Sequence, residues 1–305
     1  MSLVILCPGQ GGQHPGMFAR VQAHAESRDL LALAEQLLGA PVADVAGRPG
    51  RFRNAVAQPL VCAGALAHWL ALQRQLPPPV VVAGYSAGEL AAHAVAGSFD
   101  AMTCLQLAVS RAAAMDAASP ADGALLALLG LDRAAIDSLC NAHGAAVAIV
   151  NGPDHFVLGG HRAMLQQVQA AAEARGARSV EIPVCVPAHT PMLAAATQAF
   201  TAVLADAGVH APQRRLLAGI DGHSVVSAGR VVDSLGAQIS QTVQWQAVMD
   251  QAVEYGGRVF LELGPGSALS RRARALHPRL QARSVEDFQT LEGVVEWVAA
   301  ACARA

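Results

Sequence analysis

The apolar run Val80-Val81-Val82-Ala83 passes directly into Gly84-Tyr85-Ser86-Ala87-Gly88. A buried strand that ends in Gly-x-Ser-x-Gly and turns at once into a helix is the layout of a nucleophile elbow. The glycines let the backbone reverse sharply and leave the serine at the tip with its hydroxyl exposed. The helix expected from Glu89 to about Ala96 aims its N-terminus at that hydroxyl and favours negative charge there. A chance Gly/Ser turn is the competing interpretation; the strand before and the helix after favour the elbow.

Strands and helices alternate around this feature. Leu3–Cys7 reads as a first buried strand that ends at Pro8-Gly9-Gln10-Gly11-Gly12-Gln13. Helical patterns follow near Leu30–Leu38 and Pro59–Leu76, and Pro77-Pro78-Pro79 closes the second. Gly97-Ser98-Phe99-Asp100 separates the elbow helix from another over about Ala101–Ala117. This alternation predicts an α/β, hydrolase-like doubly wound core. The middle of the chain reads β-α-β-β-α-β: Ala124–Leu131, Arg133–Ala142, Ala145–Val150, His155–Gly159, Arg162–Ala174 and Arg178–Val186. That order is the ferredoxin-like arrangement. It predicts a small subdomain over residues 122–188 inserted between two parts of a large core, 1–121 and 189–305. Helices near Ala194–Ala207, Ser234–Ser240 and Gln244–Tyr255 follow, then a strand, Arg258–Leu263, running into Gly264-Pro265-Gly266. That last turn reads as a tight turn first and as a shaper of the site second.

With 305 residues, 53% apolar and 14% charged, the chain can bury a large core. Its net charge of −2 offers no basic field for nucleic acid or an anionic membrane. The one dense basic stretch, Arg271-Arg272-Ala273-Arg274, reads as a solvated helix face. All basic side chains are arginine, which excludes Schiff-base chemistry, a P-loop lysine and a serine–lysine dyad. The six cysteines are scattered, as expected of buried thiols in a reducing compartment. No signal peptide or uninterrupted membrane-length apolar run is evident, so the expected location is the cytoplasm.

Serine needs a base to become a nucleophile. Among the histidines, His189 stands out, because Pro187-Ala188-His189-Thr190-Pro191 lies at the return from the small unit to the core. A hydrogen-bonded structural histidine is the alternative. His93 points away from the elbow tip, and His14 reads as a loop residue. The amide of Ala87, next to the nucleophile, is one expected oxyanion donor; the loop Gly9-Gln10-Gly11-Gly12 fits the source of a second. Arg111 lies as far down the returning helix as the elbow helix climbs, roughly 15 Å at 1.5 Å per residue. If the two helices are antiparallel neighbours, its guanidinium ends level with Ser86, suited to an acyl group carrying a free carboxylate. A surface arginine on an amphipathic helix fits the same geometry.

Taken together, Pro8-Gly9-Gln10-Gly11-x-Gln13, Gly84-x-Ser86-x-Gly88-Glu89, Arg111, Asn151-x-Pro153, Val186-Pro187-x-His189, Gln238 ahead of Val243-Gln244-Trp245, and Glu262-x-Gly264-Pro265-Gly266 resemble the malonyl-CoA:acyl-carrier-protein acyltransferase family over nearly the whole chain. The resemblance implies that Ser86 is acylated and His189 is its base. It implies that the amides of Gln10 and Ala87 form the oxyanion hole, that Arg111 holds the malonyl carboxylate, and that the Gln238 carbonyl orients His189. Tyr85 and Asn151 are expected to line the site. No cofactor or metal is implied; the partners implied are malonyl-CoA and an acyl carrier protein. Two positions depart from the family pattern: Tyr85 stands where histidine is common, and Gln241-Thr242 where Asn-Pro is common. Gln58-Pro59-Leu60, Gly84-Tyr85-Ser86 and Arg111-Ala112-x-x-Met115-Asp116 are similar to one branch, the epsilon subunit of malonate decarboxylase. That branch implies loading of the decarboxylase's own carrier subunit. A fatty-acid or polyketide malonyltransferase and a serine thioesterase or hydrolase are the alternatives. A hydrolase would want an acidic third member, for which Asp206, Asp221 and Asp233 are available.

Overall fold

Strand β1 (Leu3–Cys7) sits in the middle of a five-stranded parallel sheet, and every one of its side chains is buried. The computed structural model describes residues 2–305. After β1 come helices α1 (Arg28–Leu38), α2 (Val42–Gly47) and α3 (Asn54–Leu72), then strand β2 (Val81–Gly84). The elbow helix α4 (Gly88–Ala96) and its antiparallel return α5 (Ala101–Ala118) follow. The rest of the large sheet arrives late: β7 (Leu216–Leu217), β8 (Val259–Glu262) and β9 (Gln281–Ser284), in the order β7-β2-β1-β8-β9. A parallel sheet covered on both faces needs apolar residues at consecutive positions, which explains the unbroken Leu3–Cys7 and Val81–Ala83 runs.

Helix α3 is apolar and long enough to cross a bilayer, but 83% of its most apolar window is buried among the protein's own elements. It starts five residues earlier than Pro59, which lies inside it rather than opening it. An all-round apolar helix is what a core position demands.

A second sheet lies between α5 and the later core elements. It comprises β3 (Gly123–Leu129), β4 (Ala146–Gly152), β5 (His155–His161) and β6 (Arg178–Ile182), antiparallel in the order β4-β5-β3-β6. Helices α6 (Arg133–His143) and α7 (Arg162–Glu173) cover one face. The two-residue period of a strand divides β3 between two cores. Ala124, Leu126 and Leu128 pack with α6 and α7, while Leu125 and Ala127 join the main core. The sheet is fastened to the core by a parallel bridge, Ile149–Val243, with Val150 N–H donating to the Val243 carbonyl at 2.8 Å.

The last part adds α8 (Ala194–Asp206), α9 (Ala228–Gln238), α10 (Trp245–Glu254), α11 (Ala268–Leu276) and α12 (Leu291–Arg304). Helix α9 starts six residues before the expected Ser234, because Ser227 caps it by accepting from Arg230 N–H. Strands β7 and β9 and helix α12 had no clear signal in sequence. β7 has only two residues, and β9 (Gln-Ala-Arg-Ser) alternates as an edge strand does.

Because β1 lies between β2 and β8, the loops at their C-terminal ends meet above the sheet. Chain order turns in opposite directions on either side of β1, the kind of switch point at which α/β proteins bind ligands.

Candidate active site

The elbow is built by close approach. Ser86 has φ +54°, in the left-handed region where a side chain is strained. A Cβ at Gly88 would collide with the carbonyls of Cys7 and Pro8, and one at Gly84 with the Glu89 backbone. A Cβ at Gly9 would come within 2.7 Å of the Tyr85 carbonyl and 3.4 Å of Ser86 Cβ. The glycines therefore seat the Pro8–Gly12 loop directly against Ser86. Among the described residues, neither the Gln10 nor the Ala87 backbone N–H has an acceptor within the protein. Two free amides beside a serine hydroxyl suit a developing oxyanion.

His189 also has a left-handed backbone, φ +63°, held by donation from its N–H to the Ile239 carbonyl at 2.8 Å. Its Nε2 lies 2.8 Å from Ser86 Oγ, and its Nδ1 lies 2.5 Å from the Gln238 carbonyl oxygen. A carbonyl only accepts, so Nδ1 carries the proton and Nε2 presents a lone pair to the serine hydroxyl. Burial, with the Arg111 charge adding to it, pulls the His189 pKa down to about 3, which keeps the ring neutral. None of Asp206, Asp221 and Asp233 occupies the third position of a triad. Nδ1 is taken by a backbone carbonyl, and Asp221 is engaged with Arg230.

Arg111, on α5, is 1% exposed, so the buried placement holds and the surface placement does not. Nη1 donates to Gln58 Oε1 at 2.7 Å and Nη2 to Gln238 Oε1 at 2.8 Å. Burial lowers its pKa to about 10, leaving it charged at neutral pH. Gln238 thus serves both groups, its carbonyl holding His189 and its side chain holding Arg111. Its Nε2 donates to the Ser86 carbonyl at 3.2 Å and to Glu89. His93 bonds Ser98 and His14 bonds Glu286, and neither contacts Ser86.

Tyr85 and Asn151 meet on the other flank. Tyr85 donates its hydroxyl proton to Asn151 Oδ1 at 3.1 Å, and its ring packs edge-on against Trp245 at 5.1 Å. Arg272, expected on a solvated helix face, instead reaches in. Its Nη1 donates to Asn151 Oδ1 and, at 3.3 Å, to Tyr85 Oη, with the guanidinium 5.5 Å from the Tyr85 ring centre. Arg271 and Arg274 of the same stretch bond Ser267 and the Ala282 carbonyl. A cleft of about 370 Å³ opens here between the Gly9–Gly12 loop, Tyr85, Arg272 and the small sheet. Pro265 and Gly266 line it, so the Gly-Pro-Gly turn does shape the site.

Sequence reasoning did not assign site places to Gln58, Glu89 or Arg272. Gln58 carried a usable signal, a buried amide one turn after Asn54 in a largely apolar helix. Glu89 is fully buried and its pKa is raised by burial to about 7. Arg272 stands in the basic stretch singled out in the sequence, but nothing local says that α11, packed on β8 and β9, carries it to Tyr85 and Asn151.

Comparison with known proteins agrees with this geometry. Residues 4–289 match the acyl transferase domain family. The malonyl CoA-acyl carrier protein transacylase of Escherichia coli (strain K12) is 28% identical over 300 residues, covering 95% of this chain and 97% of that protein. Its counterpart from Mycobacterium tuberculosis (strain ATCC 25618 / H37Rv) is 30% identical over 297 residues, covering 95% and 98%. The solved malonyl CoA-acyl carrier protein transacylase of Coxiella burnetii superposes with a TM-score of 0.92 at 25% identity, covering 99% of this chain and 98% of that one. A malonyl-transacylase solved in complex with its type II PKS acyl-carrier protein gives a TM-score of 0.91 at 27% identity, covering 97% and 99%. With the fold, the elbow and nearly the full length in agreement, this chain belongs to the acyl transferase domain family.

Proposed function

We propose that this protein is a malonyl-CoA:acyl-carrier-protein S-malonyltransferase that works through a malonyl-Ser86 ester. The observation that carries the reading is Gln238. One residue links the base of the serine to a buried arginine free of any carboxylate, so nucleophile and carboxylate receptor are built as a unit.

In the first half-reaction Ser86 Oγ attacks the thioester carbon as its proton passes to His189 Nε2. The carbonyl oxygen becomes an oxyanion held by the Gln10 and Ala87 N–H groups; losing such a donor typically costs about 2.7–4 kcal/mol. Collapse breaks the carbon–sulfur bond, and the CoA sulfur leaves with the proton from Nε2. In the second half-reaction the carrier thiol gives its proton to Nε2 and its sulfur attacks the ester. Collapse then returns the proton to Ser86 Oγ. Arg111 pairs with the distal carboxylate throughout, which selects malonyl over acetyl. Intact-protein mass spectrometry after mixing with malonyl-CoA tests the nucleophile. The expected result is one malonyl adduct on the wild type and none on Ser86→Ala; an adduct that survives in the mutant would refute the assignment.

Two carriers fit the chemistry. The likeness of Gln58-Pro59-Leu60, Gly84-Tyr85-Ser86 and Arg111-Ala112-x-x-Met115-Asp116 to the malonate decarboxylase branch supports the carrier subunit of that enzyme. The curated relatives are named for an acyl carrier protein, and one solved neighbour is in complex with a type II PKS acyl-carrier protein; these favour a carrier of fatty-acid or polyketide type. A competition between the two carriers for malonyl-Ser86 separates them. Faster transfer to the decarboxylase-type carrier is the expected outcome, and a preference for the fatty-acid type overturns the branch while leaving the reaction intact.

A further inference from the structure

Arg111 is fully buried, yet among the described residues no carboxylate lies within ion-pair distance of it. Its partners are the side-chain oxygens of Gln58 and Gln238. A side-chain amide is directional, one end accepting and the other donating. The donating end of Gln238 points to Glu89 Oε2, and both Glu89 oxygens accept from Gly219 N–H at 3.1 Å. Burial raises the Glu89 pKa, but the Gly219 N–H, the Gln238 amine end and the Arg111 charge all favour its ionised form; that form only accepts, so it admits the amine end of Gln238 and leaves the carbonyl end to Arg111. The opposite flank is ordered the same way. Gln58 Nε2 donates to Asn54 Oδ1 at 2.6 Å, and Asn54 Nδ2 donates to the Ala112 carbonyl at 3.1 Å and Asp116 Oδ1 at 3.0 Å. Both chains end in acceptors, and both turn a neutral oxygen toward the guanidinium.

We propose that Glu89 is a positioning residue for substrate selection: it fixes the direction of the Gln238 amide, so that Arg111 is gripped by a neutral oxygen and keeps its charge and unused N–H groups for the substrate carboxylate. A carboxylate placed directly on Arg111 would occupy the receptor and compete with malonate. One placed beyond an amide compensates the buried charge from a distance and leaves the receptor open. The inference rests on malonyl transfer being the reaction.

The test is the ratio of kcat/KM for Ser86 acylation by malonyl-CoA to that by acetyl-CoA. Glu89→Gln preserves shape but offers both a donor and an acceptor, so the Gln238 amide loses its enforced direction. The ratio should fall about tenfold, with the loss in KM for malonyl-CoA, as expected for one hydrogen bond to a charged group. Glu89→Asp, which keeps an acceptor-only group, should recover part of the ratio. A purely structural role would lower both substrates equally; an unchanged ratio, or no recovery with aspartate, overturns the inference. Should Glu89→Gln not fold, Gln238→Glu asks the same question by setting a carboxylate on Arg111. The ratio should then collapse, and its persistence overturns the inference. Absence of a malonyl adduct on the wild type would instead overturn the reaction itself.

Discussion

Two arginines bond to neighbours of Ser86, Arg111 to Gln238 and Arg272 to Tyr85, and they are held in contrasting ways. Arg111 belongs to a core helix, is almost wholly buried, and is gripped end-on by two amide oxygens from α3 and α9. Arg272 is half-buried on α11, lies across the Tyr85 ring, and shares Asn151 Oδ1 with the Tyr85 hydroxyl. The first is a fixed charge with no carboxylate in ion-pair contact among the described residues, which on the proposed reaction leaves it for the carboxylate of the substrate. The second is a strap: it ties the end of β4, in the small sheet, to the elbow and to α11. A cation can thus serve recognition or tethering according to what its neighbours leave unpaired.

The comparison breaks most readily at Arg111. Arg111→Ala should lower malonyl acylation by about 2–5 kcal/mol in the activation barrier, the usual range for truncating one partner of a buried charge pair, and lower acetyl acylation far less. Steady-state kinetics with both thioesters checks this, and equal losses would remove Arg111 from carboxylate recognition. The same variant sharpens the picture through pH. Burial first and the Arg111 charge second hold His189 near a pKa of about 3. Removing that charge leaves burial acting alone and raises the His189 pKa. The neutral base is then lost at a higher pH as acid is added, so the acidic limb of kcat/KM for acetyl-CoA should move upward. An unmoved limb would mean that Arg111 does not act on the imidazole. The smallest expected effect is at the strap. Arg272→Ala removes the donors to Asn151 and Tyr85, and should slow acylation by both thioesters about two- to tenfold without changing their ratio. A changed ratio would place Arg272 in acyl selection and dissolve the contrast.

Much of the site was legible in the chain because its constraints are local. Gly84, Ser86 and Gly88 mark a bend that few other residues tolerate, and the Val80–Ala83 run states that a buried strand feeds it. Helix rise put Arg111 level with Ser86 but left a surface placement equally open; its burial came only from the packing. The apolar run read as a strand over Ala124–Leu131 matches β3, a strand covered on both faces. The errors were non-local. Arg271 and Arg274 are exposed as a solvated face requires, but nothing nearby in sequence announces that Arg272 between them reaches Asn151 at the end of β4. Pro59 looked like a helix start, since an interior proline is tolerated only where the missing N–H bond is outweighed by core packing.

The sequence by itself determined the elbow, with Ser86 at its tip, and most of the order of strands and helices, because each depends on backbone sterics and hydrophobic period within a few residues. The resemblance named the Gln238 carbonyl as the partner of His189; only the tertiary structure decided that Arg111 is buried against the Gln238 side chain, that Glu89 stands behind Gln238, and that Arg272 reaches Asn151 and Tyr85. Those choices depend on which polar groups remain unpaired after distant elements pack, and pairing in a buried site is settled by three-dimensional proximity.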